Sequence, residues 1–245
     1  MFTGFRCTAQ TLENPQLKRK YNKELFSHIA YAYSSITGFL SWGRDHKWKQ
    51  QLILKLPPIE KPFILDLACG TGDITKLLAD KYPRGKITGI DLTHAMISPA
   101  ARALKKSNTS LQLADMCQIA FKDETFDIVT GGYALRNAPE LKTALQEVHR
   151  VLKPKGTAAF LDFSKSPSLL RSFSSLKILS LWCCFWGLVF HLNPHTYGYI
   201  AKSLCHYPNR NQITQLFDKC GLTITSRELR FLGFAELITA RKFTT

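Results

Sequence analysis

Acidic residues are scarce in this chain. It holds 18 Asp and Glu against 33 Lys and Arg over 245 residues, a formal net charge of +15. So basic a surface favours anionic partners, nucleic acid or anionic lipid headgroups, and charge alone points first to RNA. No apolar run reaches the length of about twenty residues that spans a bilayer as a helix. Met1 to Gln16 has no apolar centre, which excludes a secretory signal there. Arg6 and the shortage of acids leave an organellar presequence open. No C-x-x-C pair occurs among the seven cysteines, an odd number. This excludes a disulfide scaffold and a zinc site and fits reduced thiols in a cytosolic protein. His191 and His195 flank Asn193-Pro194 with no acid or cysteine at ligand spacing, so they read as surface histidines and no metal is expected. Repeats and low-complexity tracts are absent. Hydrophobic residues make up 45% of the chain, enough for one sizeable core.

What is present is organised around Phe63 to Asp73, F-I-L-D-L-A-C-G-T-G-D. A short apolar run bounded by glycines suits a buried parallel strand. Gly70 and Gly72 allow a tight turn and close approach of a ligand to the main chain. A helix through Ile74, Leu77 and Leu78 then points its free N–H groups back at the turn. Such a turn binds a nucleotide-like cofactor. The G-x-G-x-x-G dinucleotide fingerprint is incomplete, with Thr75 at its third position. Lys86 to Ile90 reads as a second strand, and Asp91 ends it about twenty residues past the glycines, where a carboxylate reaches ribose hydroxyls. Leu111 to Leu113 reads as a third strand, and Asp115 beyond it can accept from an adenine amine. NAD-binding folds share this outline. Asp66 and Asp73, however, add negative charge where a pyrophosphate would sit; they suit a cofactor with an ammonium and a sulfonium.

Along the chain, residues 1–20 read as a tail, with Lys18-Arg19-Lys20 a solvated start. Tyr21 to Tyr33 carries Leu25, Phe26, Ile29 and Ala30 at helical spacing. Leu40 to Gly43 breaks it, and a second amphipathic helix, Lys47 to Leu56, ends at Pro57-Pro58. Together, residues 21–60 are expected to lie over the cofactor as a lid. Phe126 to Thr130 is a fourth strand. Leu141, Ala144, Leu145, Val148, Val151 and Leu152 form one core-facing helical stripe. Lys153 to Gly156 ends that helix, and Thr157 to Phe163 is a fifth strand. Leu222 to Ser226 and Ala235 to Ala240 alternate like half-exposed strands of an antiparallel edge hairpin. The alternation predicts an α/β fold with a doubly wound parallel sheet and ligands at the C-terminal strand ends. An insert at 165–208 has an apolar middle, Ile178 to Phe190, too short to span a bilayer. It is either a buried core helix or a greasy lid that holds an isoprenoid tail or dips into a membrane surface. Trp182 and Trp186 suit an interface, with Arg171, Lys177 and Lys202 near headgroups.

Asp66 to Asp73, Gly89-Ile90-Asp91 and Ala114-Asp115 resemble the motifs of class I S-adenosylmethionine-dependent methyltransferases. More narrowly, Tyr133-Ala134-Leu135-Arg136-Asn137, Arg150 to Gly156 and Leu161-Asp162-Phe163-Ser164 resemble the C-methyltransferases of ubiquinone and menaquinone biosynthesis, from about Phe26 to the C-terminus. The resemblance implies a seven-stranded Rossmann-like sheet, S-adenosylmethionine as cofactor, and methyl transfer to a ring carbon of a polyprenylated quinol. On this reading Asp66, Gly70, Thr71, Gly72, Asp91, Asp115 and Met116 bind the cofactor. Met96 packs on the adenine or is plain core, and Asp73 binds the ammonium or caps its helix. Arg136 is the first catalytic expectation: its guanidinium stabilises a developing phenolate, directly or through water. Asn137 orients that water or a quinone oxygen. Tyr33, Tyr133, Tyr199 and Ser203 wall the substrate cleft, and the insert covers it, which favours the greasy lid. The expected setting is the cytoplasmic periphery of an anionic membrane, without nucleic acid; ring type and oligomeric state stay open.

The sequence departs from that family in the lid. Tyr33-Ser34-Ser35-Ile36-Thr37 stands where the family has Tyr-Asp followed by Asn, and Asp45 precedes His46 and Trp48 where it has a histidine. Ser34 removes an acid and any base role at that site. Three other readings remain. One is a methyltransferase of another lipophilic molecule. An RNA methyltransferase is a second, but Gly131-Gly132-Tyr133 stands where amino-methylating nucleic-acid enzymes carry [DN]-P-P-[YF]. The third is a non-enzymatic cofactor-binding relic.

Overall fold

The computed structural model describes residues 7–104, 108–192 and 195–243, and of residues 169–175, 191 and 195 the backbone alone. Four helices come first: α1 (Ala9–Glu13), α2 (Pro15–Ile29), α3 (Tyr33–Leu40) and α4 (Asp45–Leu54). Helix thus begins inside the stretch expected to be a tail. Asn14-Pro15 explains it: the Asn14 side chain accepts from the N–H groups of Gln16 and Leu17, and Pro15 fills the first helical position. A 3₁₀ turn at Ala30–Ala32 then separates α2 from α3, so Tyr33 opens a helix rather than closing one.

The alternating part follows as β1 (Phe63–Leu67), α5 (Asp73–Lys81), β2 (Lys86–Asp91), α6 (His94–Ala103), β3 (Thr109–Leu113), β4 (Phe126–Gly132), α7 (Ala134–Asn137), α8 (Leu141–Val151) and β5 (Leu152–Phe163). Then come α9 (Leu169–His191), α10 (His195–His206), α11 (Arg210–Lys219), β6 (Leu222–Arg230) and β7 (Ala235–Lys242). The seven strands run β3-β2-β1-β4-β5-β7-β6. β1 lies parallel between β2 and β4, with Leu65 opposite Thr88 and Val129. Strand order reverses there, and the crevice at the strand ends beside such a reversal is where ligands bind in open α/β sheets.

Ile64, Leu65 and Leu67 are fully buried, as a strand covered on both faces requires. One face of the sheet packs Leu67, Val129 and Phe160 against Leu145 and Val148 of α8 and Phe217 of α11. The other packs Ile64, Ile87 and Ile128 against Leu78 of α5 and Leu52 of α4. A third apolar cluster joins α2 and α3 to α9 and α10 through Leu25, Ile36, Cys183 and Tyr199. The lid therefore has a core of its own.

Two strand expectations need correction. Leu152 is the first residue of β5, not the last of α8, and Lys153 to Gly156 lie within the strand. Lys155 takes a positive φ there, and the pairing with β4 slips between Phe126 and Ile128. The Lys153 ammonium fixes the irregular stretch on both oxygens of Asp127, at 2.8 and 2.9 Å. Second, β7 is not half-exposed. It lies between β5 and β6, antiparallel to both, so of this hairpin only β6 forms an edge. The polar residues that gave β7 its alternating look are buried with partners: Glu236 meets the Arg227 guanidinium at 3.3 Å.

Candidate active site

The turn after β1 bends sharply. Ala68, Gly70 and Gly72 all have positive φ, at +47°, +57° and +87°. Each glycine has its own reason. A Cβ at Gly72 would lie 2.9 Å from Leu104 Cδ1 and 3.2 Å from Ala100, so this glycine lets the turn pack close to α6. A Cβ at Gly70 would lie 3.2 Å from Met96 Cε and 3.9 Å from Tyr33 Cε1, inside the cradle where a ligand belongs.

Two carboxylates hold the turn from beneath. Asp91 ends β2; its Oδ2 accepts the Gly70 N–H at 2.9 Å and its Oδ1 the Thr93 N–H at 2.8 Å. Asp66 is wholly buried and accepts from the hydroxyls of Thr75 at 2.6 Å and Thr130 at 2.9 Å. Thr75, the residue that spoils the dinucleotide fingerprint, is here because Asp66 needs its hydroxyl. Burial pushes the Asp66 carboxyl up to about 6. It raises that of Asp91 too, against the pull of the Thr93 and Gly70 N–H groups.

Two small pockets meet at this turn. The first is walled by Met96, Ala114 and Met116, with Asp91 and Asp115 among its polar groups. The second is lined by Asp66, Thr71 and Asp73, with Lys49 beside them. Apolar plates with carboxylates suit an adenosine. A cluster of acids suits an ammonium and repels a pyrophosphate. On that chemistry the residues fit S-adenosylmethionine: Asp91, Met96, Ala114, Asp115 and Met116 would hold its adenosine, and Asp66 with the Gly70–Asp73 turn its amino-acid end.

Other expected residues carry added partners. Asp115 meets Arg19 of α2, and its Oδ1 accepts the Cys117 N–H at 2.8 Å. Asp73 opens α5 and pairs with Lys49 at 2.8 Å. Thr71 has its hydroxyl 3.2 Å from Ser34 Oγ.

Beside both pockets lies a larger cavity of about 590 Å³. Tyr33 and Tyr133 line all three spaces, so they mark the junction. The cavity walls are apolar: Leu25 of α2, Ile36 and Leu40 of α3, Leu179 and Trp182 of α9, and Phe231. Its floor carries Arg136 and Asn137. Arg136 is buried. Its N–H donates to Asp162 Oδ2 at 3.0 Å, and its guanidinium donates to Ser203 Oγ. The rings of Phe163 and Tyr199 flank that guanidinium at 5.1 and 5.5 Å. Ser203 therefore holds Arg136 rather than forming wall. Asn137 is tied down as well: its amide donates to the Tyr133 carbonyl at 2.7 Å, and its Oδ1 lies 3.1 Å from the Tyr199 hydroxyl. Asn22 of α2 completes the set, 2.8 Å from the same hydroxyl.

Sequence reasoning missed Lys18, Arg19, Asn22 and Lys49. The Lys18 ammonium donates to the Arg136 carbonyl at 3.1 Å, and burial lowers its pKa to about 8. The spacing of Asp45 and Lys49 was the one available signal, since residues four apart share a helix face. Among the described residues, no three His, Cys, Asp or Glu side chains are disposed to hold a metal. Residues 193–194 and the side chains of Arg171, His191 and His195 lie outside the described residues.

The insert helix α9 is two-faced rather than a buried core helix. Ile178, Leu181, Phe185, Leu188 and Val189 are each more than half exposed; the first three line the cavity, and Leu188 and Val189 lie outside it. Trp182 and Trp186, expected at the outer interface, pack instead on the turn after α3 and on α3 itself. Trp182 stacks on Trp42 with centroids 4.6 Å apart and planes 7° apart, and Trp186 packs on Phe39 at 5.0 Å. No helix among the described residues is long and apolar enough to cross a membrane.

The raised Asp66 carboxyl gives a pH prediction. Its proton stabilises the empty fold below about pH 4, and that contribution is lost as pH rises through 6. Ligand affinity runs the other way, because only the ionised form attracts an ammonium. S-adenosylmethionine is expected to bind more weakly below pH 6, by up to about tenfold per pH unit. Calorimetry from pH 5 to 7.5 reads this directly, and a flat profile removes Asp66 from the ammonium site.

Known proteins are consistent with this geometry. A solved S-adenosylmethionine-dependent methyltransferase from Aquifex aeolicus superposes with a TM-score of 0.60, covering 85% of this chain and 97% of that one at 16% identity. That likeness establishes the class I methyltransferase fold. Demethylmenaquinone methyltransferase of Symbiobacterium thermophilum is 33% identical over 90% of this chain and 92% of its own length. The ubiquinone/menaquinone biosynthesis C-methyltransferase UbiE of Desulfotalea psychrophila is 36% identical over 86% of each. The profile of the ubiE/COQ5 methyltransferase family matches residues 14–240, from α2 into β7, which takes in both small pockets and the Arg136 floor, and the chain belongs to that family.

Proposed function

We propose that this chain transfers a methyl group from S-adenosylmethionine to a ring carbon of a polyprenylated quinol. One observation carries the reading. A buried arginine sits at the floor of an apolar cavity that shares Tyr33 and Tyr133 with the donor pockets. The two similar proteins named demethylmenaquinone methyltransferase and UbiE favour a quinol substrate, and the first favours a naphthoquinol ring.

The bound cofactor supplies an electrophilic methyl on a sulfonium. The chain supplies the rest. The cavity walls exclude water and hold the ring against the donor, and positioning of this kind lowers a barrier by about 7–11 kcal/mol when alignment is good. Arg136, aimed by Ser203, Phe163 and Tyr199, stabilises negative charge as it grows on the ring oxygen. Asn137 holds Tyr133 and Tyr199 in place around that oxygen. The prenyl tail leaves between α3 and α9.

We also place the protein at the cytoplasmic periphery of an anionic membrane. The exposed apolar face of α9 and the net charge of +15 support this. The functional test is conversion of a demethylnaphthoquinol to its ring-methylated product by the purified protein with labelled S-adenosylmethionine; label that never enters the ring refutes the reading. The membrane test is sedimentation with anionic vesicles. Leu188→Asp with Val189→Asp is expected to lower the bound fraction at least fivefold, and equal binding removes α9 from the contact.

A further inference from the structure

One oddity of the lid is the acid at Asp45, which meets Tyr133 at the junction of the three pockets. Asp45 lies in the first turn of α4 and is buried. Its oxygens divide between two partners. Oδ1 accepts the Tyr133 hydroxyl at 2.7 Å, and Oδ2 meets the Lys49 ammonium at 2.6 Å. Lys49 reaches on to Asp73 at 2.8 Å, and the Asp73 side chain is 38% exposed. A continuous line of polar groups thus runs from the junction of the three pockets, through Tyr133, to solvent.

Tyr133 is held at that junction against its own backbone preference. Its φ of +56° lies in the left-handed region, which a bulky side chain rarely adopts. Its N–H donates to Leu161 O at 2.6 Å and its carbonyl accepts from Asn137. Those bonds, with Asp45 on the hydroxyl, fix a conformation that packing alone would not choose.

We infer that Tyr133 and Asp45 form the proton exit of the methyl transfer. The reading rests on the ring methylation proposed above. The substrate's ring hydroxyl gives its proton to Tyr133 Oη while Tyr133 passes its own to Asp45 Oδ1. The electron pair left on the ring oxygen makes the neighbouring carbon nucleophilic. The methyl's bond to sulfur breaks as its bond to that carbon forms. The carbon then loses its hydrogen as a proton and the oxygen regains one, so a single proton leaves the ring per turnover, through Tyr133 to Asp45. Burial, reinforced by Asp45, raises the Tyr133 phenol well above its ordinary range. Tyr133 therefore works as a neutral relay, and Asp45 is the acceptor behind it. The charged and titratable groups facing this pair are Lys49 of α4, Tyr33 of α3, Asp73 of α5, Arg136 of α7 and Asp162 of β5.

The test compares wild type, Asp45→Asn, Tyr133→Phe and the double variant on demethylmenaquinol in detergent. Melting temperature and calorimetric affinity for S-adenosylmethionine serve as controls. Both single variants are expected to bind the donor within about twofold of wild type. Their kcat should fall about 10²-fold, the scale of general-base help. Asp45→Glu, which keeps a carboxylate, should recover part of that loss. The double variant should be no slower than either single one, because the two residues act as a unit. Asp45→Asn with wild-type kcat overturns the relay, as does Tyr133→Phe with wild-type kcat. Tyr133→Phe keeps every charge, so it decides the matter alone if Asp45→Asn does not fold. Wild-type protein that binds the donor but methylates no quinol overturns the functional reading itself. An active wild type with unaffected variants overturns the relay alone.

Discussion

Asp91→Ala should erase the stabilisation that S-adenosylmethionine gives this protein. A ligand at about a hundred times its Kd adds about 2.7 kcal/mol. In a chain of this size each kcal/mol moves Tm by about 2–4 °C, so the wild-type shift should be roughly 5–10 °C. Asp91 holds both the Gly70 N–H and the Thr93 N–H. Alanine leaves these donors without an acceptor in a buried place, at about 1–3 kcal/mol. It also removes the carboxylate that would meet the ribose. The empty variant should melt lower than wild type, and adding the donor should move it by less than 1 °C, about the reading error of a melting curve on the scale above. Asp91→Asn keeps an acceptor for one of the two N–H groups and should show an intermediate shift. An undiminished shift in Asp91→Ala would show that the donor binds elsewhere.

Arg136→Lys should leave donor binding intact and cut kcat about 10²–10³-fold, the loss typical when a preorganised donor to a developing oxyanion is removed. Lysine keeps a positive charge near Asp162, whose carboxyl is buried and raised by burial despite the pull of Arg136. It cannot keep the planar fork that bonds Ser203 while lying between Phe163 and Tyr199. Charge is retained and aim is lost, so the defect should appear in kcat with the calorimetric Kd for the donor unchanged. Arg136→Ala is a poorer probe: it strands the Asp162 carboxylate, and losing one partner of a buried pair costs about 3–5 kcal/mol. A lysine variant with kcat within threefold of wild type removes Arg136 from charge stabilisation.

Local chemistry explains which parts were legible beforehand. β1, its glycine turn and Asp91 announce themselves because strand, turn and helix onset each leave a mark within a few residues. The stripe from Leu141 to Val151 did the same for α8. The line from Tyr133 through Asp45 to Lys49 was not legible as a unit. Tyr133 and Asp45 stand 88 residues apart, and Arg19 and Asp115 stand 96 apart. No periodicity links such pairs; only the packed lid brings them together. Asp45 was visible only as a departure, without its partner. The place of β7 inside the sheet was hidden for a related reason. Its buried Glu236 reads as an exposed position until Arg227 of the neighbouring strand is known. Trp182 and Trp186 were misassigned because helical spacing gives a shared face but not its direction.

The parallel indoles of Trp42 and Trp182 join the turn after α3 to α9 in the wall of the cavity. Rings this close quench and couple electronically, so any parting of the two helices alters the protein's own ultraviolet emission and near-ultraviolet dichroism. Admission of a long-tailed guest can therefore be timed in a stopped-flow instrument without attaching a dye.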